Sequence, residues 1–203
     1  KESRTMAFAM HAYHNEFSVD DLFVMEILGS ISKALSLENY DLLIAHVDPY
    51  DTEWPHQYLD TGRVDGFILM TSTRKQHHIQ ALLEMEAPFI AWGIPLEGDT
   101  YCSVTGDNFT GGRLATEHLL GLGRRKIAFI GGPEYELEVQ GRLDGYKYAL
   151  RAADLEPSAD LIVYGDYCSA SGTKSMQQLL DQAPDLDAVF IVLNIIKEII
   201  DHT

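Results

Sequence analysis

Only two cysteines, Cys102 and Cys168, occur among the 203 residues. That is too few for a disulfide framework, and their spacing builds no metal knuckle, so a reduced compartment is the simpler reading. Long hydrophobic runs are missing too. No stretch of 18 apolar residues exists, which removes a membrane-spanning helix. Positive charge is scarce: 15 Lys plus Arg face 31 Asp plus Glu, a formal charge of −16. Such a field repels phosphate backbones and makes this chain by itself a poor nucleic-acid binder. Its densest positive patch, Gly123-Arg124-Arg125-Lys126, falls at a turn before a strand, where solvated charges are common. The opening KESRTMAFAM has neither the apolar core nor the cleavage site of a signal peptide. The chain begins almost directly on a strand, as a piece of a longer protein would.

The familiar catalytic motifs are also missing. The glycine-rich stretches GDNFTGG (106–112) and GGPEYE (131–136) lack the Lys-Ser/Thr ending of a phosphate loop. No G-x-G-x-x-G joins a strand to a helix, and no G-x-S-x-G elbow presents a nucleophilic serine. His11 and His14 follow the first strand, but a metal needs three or more converging ligands. His77 and His78 read as exposed in the first turns of a helix, and His118 as a packed helix residue. Asp65 and Asp107 are candidate catalytic carboxylates, with strand-edge turns and caps as the plainer reading, most strongly for Asp65. With no acid–base pair and no nucleophile in its setting, the sequence implies no enzyme and no cofactor.

What is present is alternation. Short continuous apolar runs at 5–10, 40–47, 64–70, 88–93, 101–107, 126–132, 160–166 and 187–193 predict strands. Helical stretches fall at 20–39, 52–62, 75–86, 110–123, about 134–153 and 171–182. In the first, Phe23, Ile27, Ile31 and Leu35 share a face at spacings of four; core packing is its default role, and a dimer surface is the alternative. Continuous apolar strands between helices predict an α/β fold with parallel sheets buried on both faces. The pattern has two halves, meeting near Leu122. Ligands of such sheets bind beyond the carboxyl ends of the strands. The residues there are rich in aromatics: Phe23, Trp92, Tyr135 and Tyr167 all fall at strand ends or helix starts. Singly, each reads as a core or rim aromatic. Together with Arg142 they describe a crevice for a flat ring with an apolar face and a polar rim, such as a sugar or a nucleobase.

In order and spacing, VDGFILM, PFIAW, SVTGDNFTGGRLATEHLLGLGRRKIAFIGG, GRLDGYKYAL, VYGDYCSASG and LDAVFIV resemble the effector-binding core of the lactose-repressor/galactose-repressor (LacI/GalR-type) family of bacterial transcription regulators. The resemblance runs from about Thr5 to Leu193, and the block from Asp107 to Gly132 is its most specific part. It implies two doubly wound parallel-sheet subdomains around a hinge, the type I periplasmic-binding-protein-like arrangement, with a small effector in the cleft. The subdomains it implies are 1–122 and 123–194, with 195–203 as a terminal helix belonging to the first. Arg142, in R-L-D-G-Y, matches the family arginine that forks onto ligand hydroxyls or a carboxylate, a task suited to a planar guanidinium. Tyr167 matches an aromatic that stacks on a ligand ring. Phe23, Trp92, Thr71, Ser72, Asp107, Asn108, His11 and Tyr135 complete the expected ligand-binding set. The resemblance further implies a cytoplasmic homodimer. Its effector is a sugar or sugar derivative, or a nucleoside or purine, and its operator DNA is bound through an amino-terminal headpiece that this sequence does not contain. A periplasmic solute-binding protein for a sugar is the alternative. One departure stands out: after Asn194 the family's usual aspartate is replaced by IIKEIIDHT.

Overall fold

The computed structural model describes residues 2–11, 22–48, 51–70, 76–95, 98 and 100–192. The chain divides between Thr105 and Gly106 into two compact units.

In the first unit, β1 (Thr5–His11), β2 (Asp41–Val47), β3 (Gly66–Met70), β4 (Phe89–Trp92) and β5 (Ser103–Val104) form one sheet in the order β2-β1-β3-β4-β5. Every pairing is parallel. The reason lies in the strands' side-chain alternation. Ala7, Ala9, Phe67, Leu69 and Ala91 face one layer, where Trp54 of α2 (Trp54–Leu59) and Ile79 and Leu82 of α3 (Gln76–Glu84) cover them. Phe8, Met10 and Met70 face the other, under Val24 and Leu28 of α1 (Leu22–Leu37). A strand apolar at every position is thus apolar on both faces, which only a two-sided cover satisfies. On α1 the fully buried pair is Val24 and Leu28, while Phe23, Ile27 and Ile31 pack partly buried beside it. The expected stripe is therefore real but rotated by one position, and it serves the core.

The second unit begins with α4 (Asn108–Gly121). Its sheet is β7-β6-β8, built from β6 (Ile127–Gly131), β7 (Ile162–Tyr164) and β8 (Ala188–Ile191), again all parallel. A short 3-10 turn, Ala159–Leu161, leads into β7. On one face Ile127 and Phe129 pack under Val139, Leu143, Tyr146 and Leu150 of α5 (Leu137–Ala152). The buried Tyr146 hydroxyl donates to the Ile127 carbonyl at 2.8 Å. On the other face Ala128, Ile130 and Val163 meet Leu179 of α6 (Ser169–Gln182).

The sequence boundary near 122 does not coincide with the division at 105/106. The physical reason is a glycine contact. A Cβ on Gly112 would lie 2.1 Å from the Arg142 carbonyl oxygen, and one on Gly145 would lie 2.1 Å from the Phe109 carbonyl oxygen. The two helices therefore touch backbone to backbone, which binds α4 to α5 and hence to the second unit.

Other local readings also shift. The expected strand 101–107 shortens to Ser103–Val104, because Asp107 caps α4 by accepting from Thr110 N–H at 2.9 Å. His78 is fully buried rather than exposed: its Nδ1 accepts the Trp54 indole N–H at 2.7 Å. His118 is exposed rather than packed. The basic turn is pinned to the start of β8, where the Asp187 carboxylate accepts the Arg125 and Lys126 N–H groups at 2.8 and 3.0 Å and Asp185 pairs with the Lys126 ammonium. The expected helix at 195–203 lies outside the described residues.

Candidate functional site

In each sheet the chain order reverses beside the first strand: β1 lies between β2 and β3, and β6 between β7 and β8. Crevices of open α/β sheets form at such reversals, beyond the strands' carboxyl ends.

At the second reversal β6 ends in Gly131 and Gly132. Tyr167, three residues past β7, lies across this end. A Cβ on Gly132 would sit 2.2 Å from two atoms of the Tyr167 ring and 2.6 Å from its hydroxyl oxygen. Glycine is thus required here by an aromatic ring laid on the backbone. Tyr167 is itself in the left-handed region, with φ of 66°, a conformation that costs a non-glycine residue about 1–2 kcal/mol. The loop around it is over-determined. Asp166 accepts the Cys168 N–H at 3.0 Å, and Ser171 accepts the Asp166 N–H at 3.2 Å and donates to the Cys168 carbonyl at 3.0 Å. The Ser171 and Cys168 contacts hold the Asp166 carboxyl below its ordinary range. The Cys168 thiol is pushed up by burial and by Asp166.

The Tyr167 ring packs half-buried against the cluster that contains Val139 and Leu143 of α5. Its phenol is pushed far above the ordinary range, first by burial and then by the negative charge of Glu136, with smaller contributions from Glu138 and Tyr135; the Arg142 guanidinium opposes them. Of the residues expected from sequence, Arg142 and Tyr135 are the two whose charges act on the Tyr167 phenol. Arg142 forms no ion pair among the described residues.

Sequence reasoning missed Glu136. It is 6% exposed, at the N-cap of α5, and its side chain makes no capping hydrogen bond. A carboxylate next to a Gly-Gly-Pro turn looks solvated in sequence, and only the folded chain shows it buried.

At the first unit's strand ends Trp92 closes β4, in register with Met70, the last residue of β3. Trp92 is 37% exposed and meets Phe23 edge-on, ring centroids 6.1 Å apart at 66°. Phe23 also packs on the core beneath α1. Asp107 and Asn108 fare differently. Asp107 is committed to capping, which keeps its carboxyl below the ordinary range, chiefly through the Thr110 N–H. Asn108 is buried, donates to the Gly106 carbonyl at 3.1 Å, and its Cβ would lie 3.0 Å from a Cβ on Gly141. His11 ends β1, but its side chain, like Thr71, Ser72 and His14, lies outside the described residues. A surface groove of about 610 Å³ elsewhere in the second unit is lined by Phe109 and by Asp144, Tyr148, Arg151 and Ala152 of the later part of α5.

Residues 16–194 match the family model described as periplasmic binding proteins and sugar binding domain of LacI family. The chain belongs to this LacI family. Among curated relatives it is 34% identical over 195 residues to the HTH-type transcriptional regulator CelR of Thermobifida fusca, covering 94% of this chain and 56% of CelR. It is 35% identical over 174 residues to the HTH-type transcriptional repressor PurR of Proteus mirabilis, covering 83% of this chain and 50% of PurR. Among solved structures it resembles a transcriptional regulator CelR–cellobiose complex, with TM-score 0.83, 33% identity, and coverage of 94% of this chain and 59% of that one. This LacI-family chain spans about half the length of the curated relatives it matches. The parallel α/β organisation of both units agrees with the family. Among the described residues no helix is long and apolar enough to cross a membrane.

Proposed function

We propose that this chain is the effector-sensing core of a DNA-binding transcriptional regulator, and that its effector is a sugar. One observation carries the reading: an aromatic ring held on a glycine backbone at the sheet's reversal, with Arg142 beside it. A sugar ring offers a C–H face to the aromatic and hydroxyls that both donate and accept. The first unit has an aromatic pair of its own, Phe23 and Trp92, at its strand ends. The CelR–cellobiose complex makes cellobiose the first sugar to try.

In the complete protein, operator contacts belong to a separate DNA-binding headpiece, since a charge of −16 disfavours direct contact by this chain. We place the protein in the cytoplasm, as a homodimer. Effector and operator affinities are then coupled, each altering the other by the same factor. The solute-transport alternative is not favoured by relatives named as regulators. The site offers binding groups rather than a catalytic set.

Thermal unfolding of the complete protein against a panel of neutral sugars and nucleosides tests the reading. A native-state ligand at 100 times its Kd adds about 2.7 kcal/mol of stability and raises Tm. Cellobiose or another neutral sugar is expected to do so. A rise with nucleosides alone, or with nothing in the panel, would overturn it.

A further inference from the structure

His78 and Trp54 make a polar contact inside the first unit that effector binding does not explain. His78 is fully buried and Trp54 is 2% exposed. The Trp54 indole N–H donates to His78 Nδ1 at 2.7 Å. An indole nitrogen only donates, so Nδ1 accepts, and an accepting Nδ1 carries no proton. The native imidazole is therefore neutral, with its one hydrogen on Nε2. Protonation would make both ring nitrogens donors. Two N–H groups would then oppose each other across the same short distance. A cation would also stand against Trp54, whose ring lies in the apolar layer with Phe67, centroids 4.8 Å apart. A buried charge costs far more than a buried neutral ring.

The contact joins two helices, since Trp54 opens α2 and His78 sits in the first turn of α3. Both helices cover the same face of the first sheet. The ionisable groups around this layer keep to its rim. Glu53, His56 and Asp60 at α2, His77 and Glu84 on α3, and Asp41 and His46 on β2 are all exposed, where water and salt screen them. Asp51 is half-buried, and its carboxylate accepts the Glu53 N–H at 2.8 Å. Tyr58 is half-buried with the Arg63 guanidinium over its ring at 4.9 Å.

We propose that the Trp54–His78 pair is an acid-sensitive latch on the first unit: neutral, it ties α2 to α3 over the sheet, and protonated, it releases them. The latch stands apart from the sugar reading and holds whatever the effector. Its sign follows from where the proton goes. A released histidine takes up a proton near its ordinary pKa of about 6.5, and the closed pair refuses it. The stability that the pair contributes is complete above that pH and is lost as pH falls below it. One extra proton in the released state lowers the closing equilibrium by up to about tenfold per pH unit.

Hydrogen exchange of the complete protein, followed by mass spectrometry between about pH 7.5 and 5.5, tests the latch. Protection of the α2 and α3 amides, corrected for the intrinsic pH dependence of exchange, is expected to fall about tenfold in wild type. Protection in α5 should change less than twofold. His78→Asn keeps an acceptor near the place of Nδ1 and cannot titrate; its α2 and α3 protection should change less than twofold. A fall in α2 and α3 no larger than that in α5, or an equal fall in His78→Asn, overturns the proposal. Should His78→Asn fail to fold, imidazole nitrogen NMR of wild type decides, with His78 identified by its contact with the Trp54 indole proton. The native ring is expected to stay neutral with its hydrogen on Nε2. A native ring that titrates at or above the ordinary histidine pKa overturns the latch.

Discussion

The Tyr167 ring rests on the backbone of Gly132, so closely that a single added methyl would fall 2.2 Å from two ring atoms. Gly132→Ala must therefore displace the ring. We expect a stability loss of about 1–3 kcal/mol, typical of overpacking, and at least a tenfold loss of effector affinity. Tyr167→Ala in the same background removes the clash. The double variant should regain much of the stability lost in Gly132→Ala and none of the affinity. Urea unfolding and calorimetry read the two effects separately. Additive stabilities would show that the ring and the glycine do not interact.

Arg142 separates binding from stability. It is half-buried on α5 and forms no ion pair among the described residues. Arg142→Met keeps much of the apolar stem, so the unfolding free energy should change by no more than about 0.5 kcal/mol. Effector affinity should fall tenfold or more. A structural arginine would give the reverse pattern, with lost stability and retained binding.

Neighbouring glycines of α4 should respond with opposite signs. A Cβ on Gly111 meets nothing within 4 Å, whereas one on Gly112 strikes the Arg142 carbonyl oxygen at 2.1 Å. Gly111→Ala should stabilise the chain by about 0.5–1 kcal/mol, since alanine is the better helix former. Gly112→Ala should destabilise it by about 1–3 kcal/mol, because backbone cannot yield as a side chain can. Chemical denaturation of the two variants checks this. Equal responses would mean that the helices do not approach this closely.

Acid should loosen the start of α4. Asp107 is held below the ordinary carboxylate range by the Thr110 N–H that it caps. A group whose folded pKa is depressed contributes its stability above its unfolded pKa, and loses it as pH falls through the folded value. The loss therefore falls in the acid range, below the ordinary aspartate pKa of about 3.9. Asp166 and Asp185 shift in the same direction, through Ser171 and Lys126 respectively, and add to the same decline. Asp107→Asn keeps a capping side chain without titrating, so it should retain most of the neutral-pH stability and flatten the acid limb. Asp107→Ala should lower stability at neutral pH. A pH series of urea midpoints distinguishes them.

Much of this protein was legible in the chain because its signals are local. Continuous apolar runs such as Ile127–Gly131, set between helical periods, specify buried parallel strands whatever surrounds them. Arg142 and Tyr167 could be chosen because each follows a strand whose end is visible in sequence. The long-range facts were not legible. Whether His78 is exposed depends on Trp54 arriving from another helix to donate to it at 2.7 Å. Whether Asp107 contacts ligand or caps a helix depends on where α4 starts, and that start lies at Asn108, two residues earlier than the helical pattern implies.

Sequence alone determined the class of fold and the family, since both rest on periodicity and ordered motifs that each segment carries by itself. Tertiary structure alone decided that α4 joins the second unit, that Gly132 makes room for a ring rather than a turn, and that Trp54 meets a buried His78. Each of these is a contact between segments distant in the chain. Which atoms meet there depends on how closely two backbones approach, and no single segment records that distance.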